Sequence, residues 1–284
     1  MRVACLVLLA FVSVLTVNSQ HKKAYTIYTS EGVEIGYEEV VNQLDEKEII
    51  LFGEQHNSAI AHWLQLEITT DLIETDSVVL GAEMFEADNQ QALNSYLKRE
   101  IDQKGLDTLA RLWSNYKTDY KPLLDLAKNN DLTFIATNIP RRYANLVYRN
   151  GFPVLDTLSE QEKNWIAPLP IPFDPDLPTY KNILEMMGDH GTPELVKAQA
   201  IKDATMAYFI LKKRKENAKF IHYNGAYHSD YYEGILWYLK LTEPDLKYGT
   251  LSTVTQKDIS FLEEEHSGKA DFIIVVDEKV TKTY

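Results

Sequence analysis

Five short apolar runs, rich in β-branched residues, constrain the fold of this chain more than any other feature of its sequence. Most of them end at or beside Gly, Asn or Asp, and they lie at residues 48–54, 77–85, 132–138, 219–225 and 271–277. Helical patterns separate most of these runs, at residues 59–73, 89–98, 120–129 and 194–215. Near-continuous apolar strands that alternate with helices are typical of a parallel sheet covered on both faces. The sequence therefore predicts an α/β fold, a three-layer domain with a mostly parallel central sheet.

Two further segments complete the predicted architecture. The pair AYTIYT and VEIGY, joined by the turn sequence TSEG, predicts a hairpin at the sheet edge. Residues 168–178 contain five prolines, which are incompatible with a helix or a central strand. We interpret residues from about 141 to 190 as a mostly helical cap inserted over the C-terminal ends of the strands, within a single domain spanning residues 21–284.

The first twenty residues have a different character. One Arg precedes an apolar run at residues 3–17, and small or polar residues follow, which predicts a signal peptide cleaved near Ser19. A retained N-terminal anchor is the alternative. We therefore expect an exported protein, periplasmic or at the cell surface.

Cys5 is the only cysteine, so the mature chain would have no thiolate ligand or nucleophile. The net charge of -13 disfavours nucleic acid as a partner.

Reactive side chains follow several of the predicted strands. Glu54 and His56 follow the first core strand, Glu83 the second, Arg141 the third and His228 the fourth. Because ligands bind beyond the carboxyl ends of parallel strands, we expect these residues to gather at one rim of the sheet. The sequences GEQH and GAYH share the spacing Gly-x-x-His, which would place both imidazoles at a similar height.

This set of residues is compatible with several chemistries. His56, His228, Glu54 and Glu83 are plausible ligands for zinc or manganese, with an open position for water or substrate. Without a metal, Glu54 or Glu83 could act as general base and Arg141 could stabilise an oxyanion. A histidine that follows a strand is also often a hydrogen-bonded structural residue, so each residue taken alone has a structural interpretation.

Aromatic residues and other histidines surround these motifs. Tyr227 and Tyr231 flank His228, where a flat apolar ligand could stack, and tyrosine is one of the axial ligands of ferric haem. His62, on the first helix after its N-terminus, either borders the site or is a half-buried helical histidine. We interpret the other histidines as structural, loop or surface residues: His222 on a buried strand, His190 in the cap, and His21 and His266 at the surface.

The segments ILFGEQH, GAEMF, NIPRR, QAIKDATMA and HYNGAYH resemble the ChaN-like haem-binding uptake proteins of the Tiki superfamily, which is marked by two Gly-x-x-His motifs. The resemblance covers roughly residues 35–260. It implies an α/β domain with a helical cap, and haem held at a dimer interface and ligated by tyrosine. Family roles are carried over to Glu54, His56, Glu83 and His228, and to Arg141, but no motif identifies a ligating tyrosine. Other branches of the superfamily imply metal-dependent hydrolysis.

Two functional hypotheses follow from the residues and the resemblance. The first is an exported haem-binding protein linked to haem or iron uptake, with His56, His228, Tyr227 and Tyr231 as cofactor-binding residues, a possible outer-membrane receptor and a possible homodimer. The second is a metal-dependent peptidase or esterase with zinc or manganese at the His56 and His228 site, and with Glu54, Glu83 and Arg141 in catalytic roles.

Overall fold

The computed structural model describes residues 22–284. The expected signal peptide, with Cys5 and Ser19, lies outside the described residues, as does His21. Within the described part of the chain, the strands are β1 (Tyr25–Thr29), β2 (Glu34–Ile35), β3 (Ile49–Glu54), β4 (Val78–Glu86), β5 (Thr133–Asn138), β6 (Lys219–Gly225), β7 (Tyr248–Gln256) and β8 (Phe272–Asp277).

Ten α-helices are described between residues 22 and 284: α1 (Tyr37–Asp45), α2 (Ala59–Thr75), α3 (Gln90–Leu97), α4 (Gln103–Leu109), α5 (Lys121–Asn129), α6 (Arg141–Asn150), α7 (Glu160–Lys163), α8 (Pro178–Met187), α9 (Pro193–Lys213) and α10 (Ile235–Thr242). A single π-helical turn at Tyr116–Tyr120 leads into α5. None of the helices in this part of the chain is both long and apolar enough to span a bilayer.

The strands form one sheet in the order β2-β1-β8-β7-β3-β6-β4-β5. The pairs from β8 to β5 are all parallel, whereas β1 pairs antiparallel with both β2 and β8. The short β2 lies at one edge and forms the predicted hairpin with β1. The predicted α/β class with a mostly parallel sheet is therefore confirmed.

Both faces of the sheet are covered, as the apolar runs predict. In β3, Ile50 and Phe52 pack with α2 and α5 on one face, while Ile49 and Leu51 pack with α9 and α10 on the other. All four side chains are almost fully buried. Burial of a side chain of this size contributes about 1.5–3 kcal/mol, so the alternating sides of this one strand anchor both helical layers.

A crevice forms where the connections after β3 and β6 diverge. These two strands are neighbours in the sheet. The chain leaving β3 enters α2, which packs on one face, whereas the chain leaving β6 reaches α10, which packs on the opposite face. Ligands in open α/β sheets bind at such a switch point, beyond the carboxyl ends of the strands. The fold thus places the two Gly-x-x-His motifs on either side of the crevice.

The segment interpreted as a cap is mostly helical in the structure. It contains α6, α7 and α8. The irregular stretch between α7 and α8 holds four of the five prolines, and the fifth, Pro178, is the first residue of α8. The helix α7 begins with a capping box, in which Ser159 and Glu162 satisfy each other's backbone N–H groups. The helix α6 packs against α9 through Tyr143, Val147 and Ile201, so this segment is anchored to the longest helix.

Candidate functional site

Neighbouring atoms lie so close to Gly53 and Gly225 that neither position has room for a side chain. A Cβ on Gly53 would lie 2.9 Å from the carbonyl oxygen of Leu251 and 3.0 Å from the Cα of Ala226. A Cβ on Gly225 would lie 2.8 Å from His56 Nε2 and 3.5 Å from Glu83 Oε2. The glycine of the second motif therefore accommodates the imidazole of the first. This contact brings together the ends of β3, β4 and β6.

Glu54 orients His56. Its carboxylate accepts hydrogen bonds from His56 Nδ1 (2.9 Å), from the Tyr120 hydroxyl (2.8 Å) and from the Gln65 amide (2.6 Å). The glutamate side chain is fully buried, whereas the His56 side chain is 36% exposed. With Nδ1 directed at Glu54, the exposed edge of the imidazole is the part that can meet a ligand.

His62 is a buried helical residue that contacts the first motif and lines neither of the two clefts. It is buried in the first turns of α2, with Nε2 3.1 Å from the carbonyl oxygen of His56 and Nδ1 3.5 Å from Glu54 Oε2. Asp119 Oδ2 lies 3.6 Å from the same Nε2. The side chain therefore supports the loop that carries His56 and is not itself presented to a ligand.

Glu83 and His228 form a buried ion pair beside the first motif. His228 Nε2 lies 3.2 Å from Glu83 Oε1, and Glu83 Oε2 accepts the backbone N–H of Gly225 at 2.8 Å. The other ring nitrogen of His228 hydrogen-bonds Asp203, which in turn accepts the Tyr180 hydroxyl at 3.0 Å. Both nitrogens of His228 thus face carboxylates, and only 5% of this residue is exposed.

The charges of these groups shift their pKa values. Burial lowers the pKa of His228, but the charges of Glu83 and Asp203 outweigh burial and raise this pKa to about 9. Burial raises the pKa of Glu83, but the charge of His228 outweighs it, so the pKa lies well below its usual range. Burial also lowers the pKa of His56, yet the hydrogen bond to Glu54 and the charge of Glu83 leave it raised. At neutral pH Glu83 and His228 therefore form a pair of ionised carboxylate and imidazolium.

His222 behaves differently and is structural. It is fully buried on β6, with Nε2 2.8 Å from Thr137 Oγ1 and Nδ1 3.1 Å from Asn224 Oδ1. Burial lowers the pKa of His222 to about 4, so the ring is neutral at physiological pH. Its hydrogen bonds tie β6 to β5 beneath the rim.

Two clefts lie over the strand ends and share three lining residues, His56, Glu83 and Lys202. The larger has a volume of 630 Å³ and extends past Trp113, Asn138 and Arg141; we call it the α6 cleft. The smaller has a volume of 520 Å³ and extends past Tyr227, His266 and Lys269; we call it the β7–β8 cleft. Each volume lies in the range of small-molecule sites.

The remaining predicted residues occupy different positions around the clefts. Arg141, at the start of α6, lines the α6 cleft near His56 and Glu83. Tyr227 lines the β7–β8 cleft and is 49% exposed. Tyr231 does not line either cleft; its hydroxyl donates to the carbonyl oxygen of Glu265 at 3.0 Å. Of this predicted tyrosine pair, only Tyr227 lines either of the two clefts, and its hydroxyl donates to Met186 Sδ at 3.4 Å.

His266 corrects a prediction. It was expected at the surface, but its side chain is only 14% exposed and lines the β7–β8 cleft. The loop between β7 and β8 folds back over the strand ends, and this position cannot be read from the polar sequence around the histidine. Burial and the charge of Lys269 lower the pKa of His266.

The predicted metal ligands do not form a compact ligand set. Among the described residues, the group of three whose ligand atoms lie within 4.8 Å of one another consists of Glu263, Glu265 and His266, which are not the predicted ones. The Glu54 carboxylate and both nitrogens of His228 are already occupied by protein partners. The geometry therefore does not favour the metal-dependent hydrolase.

Sequence reasoning missed several residues of the site. The helix α9 contributes Gln199, Lys202 and Asp203, which lie within one turn of helix, and the π-helical turn contributes Tyr120. The three α9 residues fall in the segment QAIKDATMA, which the sequence marks only through its family resemblance. No periodicity marks Tyr120, because its role arises from the tertiary contact with Glu54.

Comparisons with known proteins agree with this architecture. A family model described as haem-binding uptake, Tiki superfamily, ChaN matches residues 40–239. A solved structure described as cofacial haem binding to ChaN of Campylobacter jejuni has a TM-score of 0.67 at 17% identity, covering 89% of this chain and 97% of that chain. A succinoglycan biosynthesis protein has a TM-score of 0.50 at 11% identity, covering 84% and 89%. At these identities the two structures show a shared fold.

A sequence relative of a different kind covers less of the chain. Protein RETICULATA-RELATED 5, chloroplastic, of Arabidopsis thaliana is 31% identical over 111 residues, which is 37% of this chain. The match spans only 15% of the length of that curated relative.

Proposed function

Because this chain belongs to the ChaN family of haem-binding uptake proteins in the Tiki superfamily, we propose that it binds haem in the clefts over the strand C-terminal ends. The main support from the structure is the pair of neighbouring clefts, in which partly exposed donor side chains lie beside patches of apolar surface. His56 and Tyr227 supply the donors, and Trp113, Ile139 and Val254 supply apolar surface. Most residues that line the α6 cleft are polar or charged, and its apolar surface comes from Leu112, Trp113, Ile139 and Ala144.

The residues present fit a haem group. Haem, when bound, supplies an iron centre that takes nitrogen or oxygen axial ligands. Tyr227 is 49% exposed and its hydroxyl has only a weak sulfur acceptor, Met186 Sδ at 3.4 Å, while the side chain of His56 is 36% exposed. In the α6 cleft, the buried Oδ1 of Asn138 has no hydrogen-bond partner, so the wall retains an acceptor for a bound group or its water.

Two of the four predicted cofactor-binding residues fit this role less well. Both ring nitrogens of His228 face carboxylates, and the Tyr231 hydroxyl is bonded to a backbone carbonyl outside the clefts. We therefore assign contact with haem to Tyr227 and His56, and assign His228 to the support of the rim.

Titration of purified protein with ferric haem tests the proposal. We expect a shifted Soret band that saturates near a stoichiometric ratio at micromolar concentrations. Tyr227→Phe or His56→Ala should change the band position or weaken binding about tenfold, which corresponds to loss of one strong contact. Tyr148→Phe is the matched control, because Tyr148 is 45% exposed but lies outside both clefts. An unchanged haem spectrum in the presence of wild-type protein would contradict the proposal.

We extend the proposal to cellular context, namely export, a link to haem or iron uptake, an outer-membrane receptor and a homodimer. Its support is the family description and the apolar run at residues 3–17. Cell fractionation with N-terminal sequencing should find an exported chain that begins shortly after Ser19. Light scattering with and without haem should detect a dimer on loading, and a haem-loaded monomer would contradict that part.

A further inference from the structure

The charged side chains of the two clefts pair off almost completely. Each of their four acidic side chains lies within 4 Å of a cationic or titratable partner that also lines a cleft. The pairs are Glu54 with His56, Glu83 with His228, Glu86 with Arg111, and Asp230 with Lys269. The acidic side chains of the clefts are therefore already matched within the protein.

Two cations are left over after this pairing. Within residues 22–284, no carboxylate lies within 4 Å of Lys202 or Arg141. The whole chain carries 42 acidic and 29 basic residues. Because acidic residues are in excess, a cation in a cleft without a carboxylate partner is unexpected from composition. Unpaired positive charge in a partly enclosed cleft attracts anionic ligands more strongly than the same charge on open surface.

Of these two cations, Lys202 is the one that lines both clefts. It projects from the middle of α9 and is one of the three residues shared by the two clefts. It is half-buried, and the neighbouring carboxylates are engaged by other partners: Glu83 by His228, and Asp203 by His228 and Tyr180. Arg141 lines only the α6 cleft. The two cations therefore border one continuous space.

We infer that Lys202 and Arg141 form an anion subsite that binds the carboxylates of a flat, largely apolar dicarboxylate ligand. This inference rests on the proposed function, under which the carboxylates are the two propionates of haem. Lys202 is then a specificity-determining residue, since it separates carboxylated from uncharged porphyrins. Arginine and lysine donate charge-assisted hydrogen bonds to carboxylates, and these are stronger than neutral ones.

The test compares haem with haem dimethyl ester, which lacks the two negative charges. Wild-type protein should bind haem about tenfold or more tightly than the ester. Lys202→Met and Arg141→Met should each weaken haem binding by a similar factor and leave ester binding unchanged. Lys202→Arg should restore the preference for haem. Lys213→Met is the matched control, because Lys213 is an exposed lysine of the same helix outside both clefts.

The outcomes separate this inference from the proposed function. If wild-type protein binds neither porphyrin, the proposed function fails. If it binds both equally, or if Lys202→Met keeps the preference for haem, the anion subsite is overturned while haem binding stands. Far-UV circular dichroism of each variant reports folding. Arg141 is exposed, so its variant keeps the inference testable even if Lys202→Met does not fold.

Discussion

The buried imidazole of His228 should make the stability of this protein depend on pH in a specific window. Burial opposes its charge, but Glu83 and Asp203 raise its pKa from 6.5 to about 9. At about 1.4 kcal/mol per pKa unit, this difference corresponds to about 3 kcal/mol of stability. Because the pKa is raised in the folded state, the contribution is fully present below pH 6.5 and is lost as the pH rises through 9.

Other groups of the site can be separated from this effect. The pKa of His222 is lowered to about 4, so its contribution is present above pH 6.5 and is lost only as the solution becomes more acidic. The pKa of Glu83 is lowered, and its contribution is likewise lost only in acid. The pKa of His56 is raised, so it acts in the same direction as His228. A variant is therefore needed to isolate His228.

Urea unfolding of wild-type protein and His228→Gln, at constant ionic strength from pH 6 to 9, measures the effect. Wild-type stability should fall by about 2–3 kcal/mol more than that of the variant over this window. At pH 6.5 the variant should be about 3–5 kcal/mol less stable, because it leaves two buried carboxylates without their cation. If the variant does not fold, Glu83→Gln removes the main charge partner and should flatten the wild-type slope. Parallel curves for wild-type protein and the variant that folds would refute the reasoning.

Two further substitutions test the geometry around the first motif. Gly225→Ala places a methyl group 2.8 Å from His56 Nε2. Because the His56 ring is partly exposed and can move, we expect a loss of about 1 kcal/mol in the free energy of unfolding. The His56 ring signals in NMR spectra should shift clearly. Tyr120→Phe removes one of three hydrogen bonds to the Glu54 carboxylate and should cost about 1–2 kcal/mol, and a melting temperature equal to that of wild type would show that the hydroxyl contributes nothing.

The sheet was predictable wherever apolar residues line both of its faces. The five predicted strands correspond to β3, β4, β5, β6 and β8, within one or two residues at each end. The strand β7 was missed because its sequence, YGTLSTVTQ, is rich in small polar residues. It is nevertheless central and buried, since its hydroxyls bond within the protein: Ser252 to Asp230 (2.6 Å) and Thr253 to the carbonyl oxygen of Gly53 (3.0 Å). Polarity patterns cannot predict such satisfied hydrogen bonds.

The part of the site that lies at the ends of the strands could be predicted from the sequence. Parallel strands bring Glu54, Glu83 and the loop of His228 to one edge, and this follows from the order of strands and loops in the sequence. The contributions of α9 and of the β7–β8 loop could not be predicted in the same way. Lys202 and His266 reach the clefts through tertiary packing, which leaves no periodic signal in the sequence.

The structure divides the ionisable residues of the rim into two classes with different consequences. Glu83 and His228 neutralise each other inside the protein, so substitution of either should act first on stability. Tyr227 and Lys202 lie in the clefts without a carboxylate partner, so substitution of either should act on ligand binding with little effect on unfolding. His56 links the two classes, because Glu54 holds one nitrogen while the ring remains partly exposed. A variant of His56 should therefore lower both the free energy of unfolding and the affinity for the ligand. The ratio of these two losses measures how strongly ligand binding in the clefts depends on the buried hydrogen bonds of Glu54.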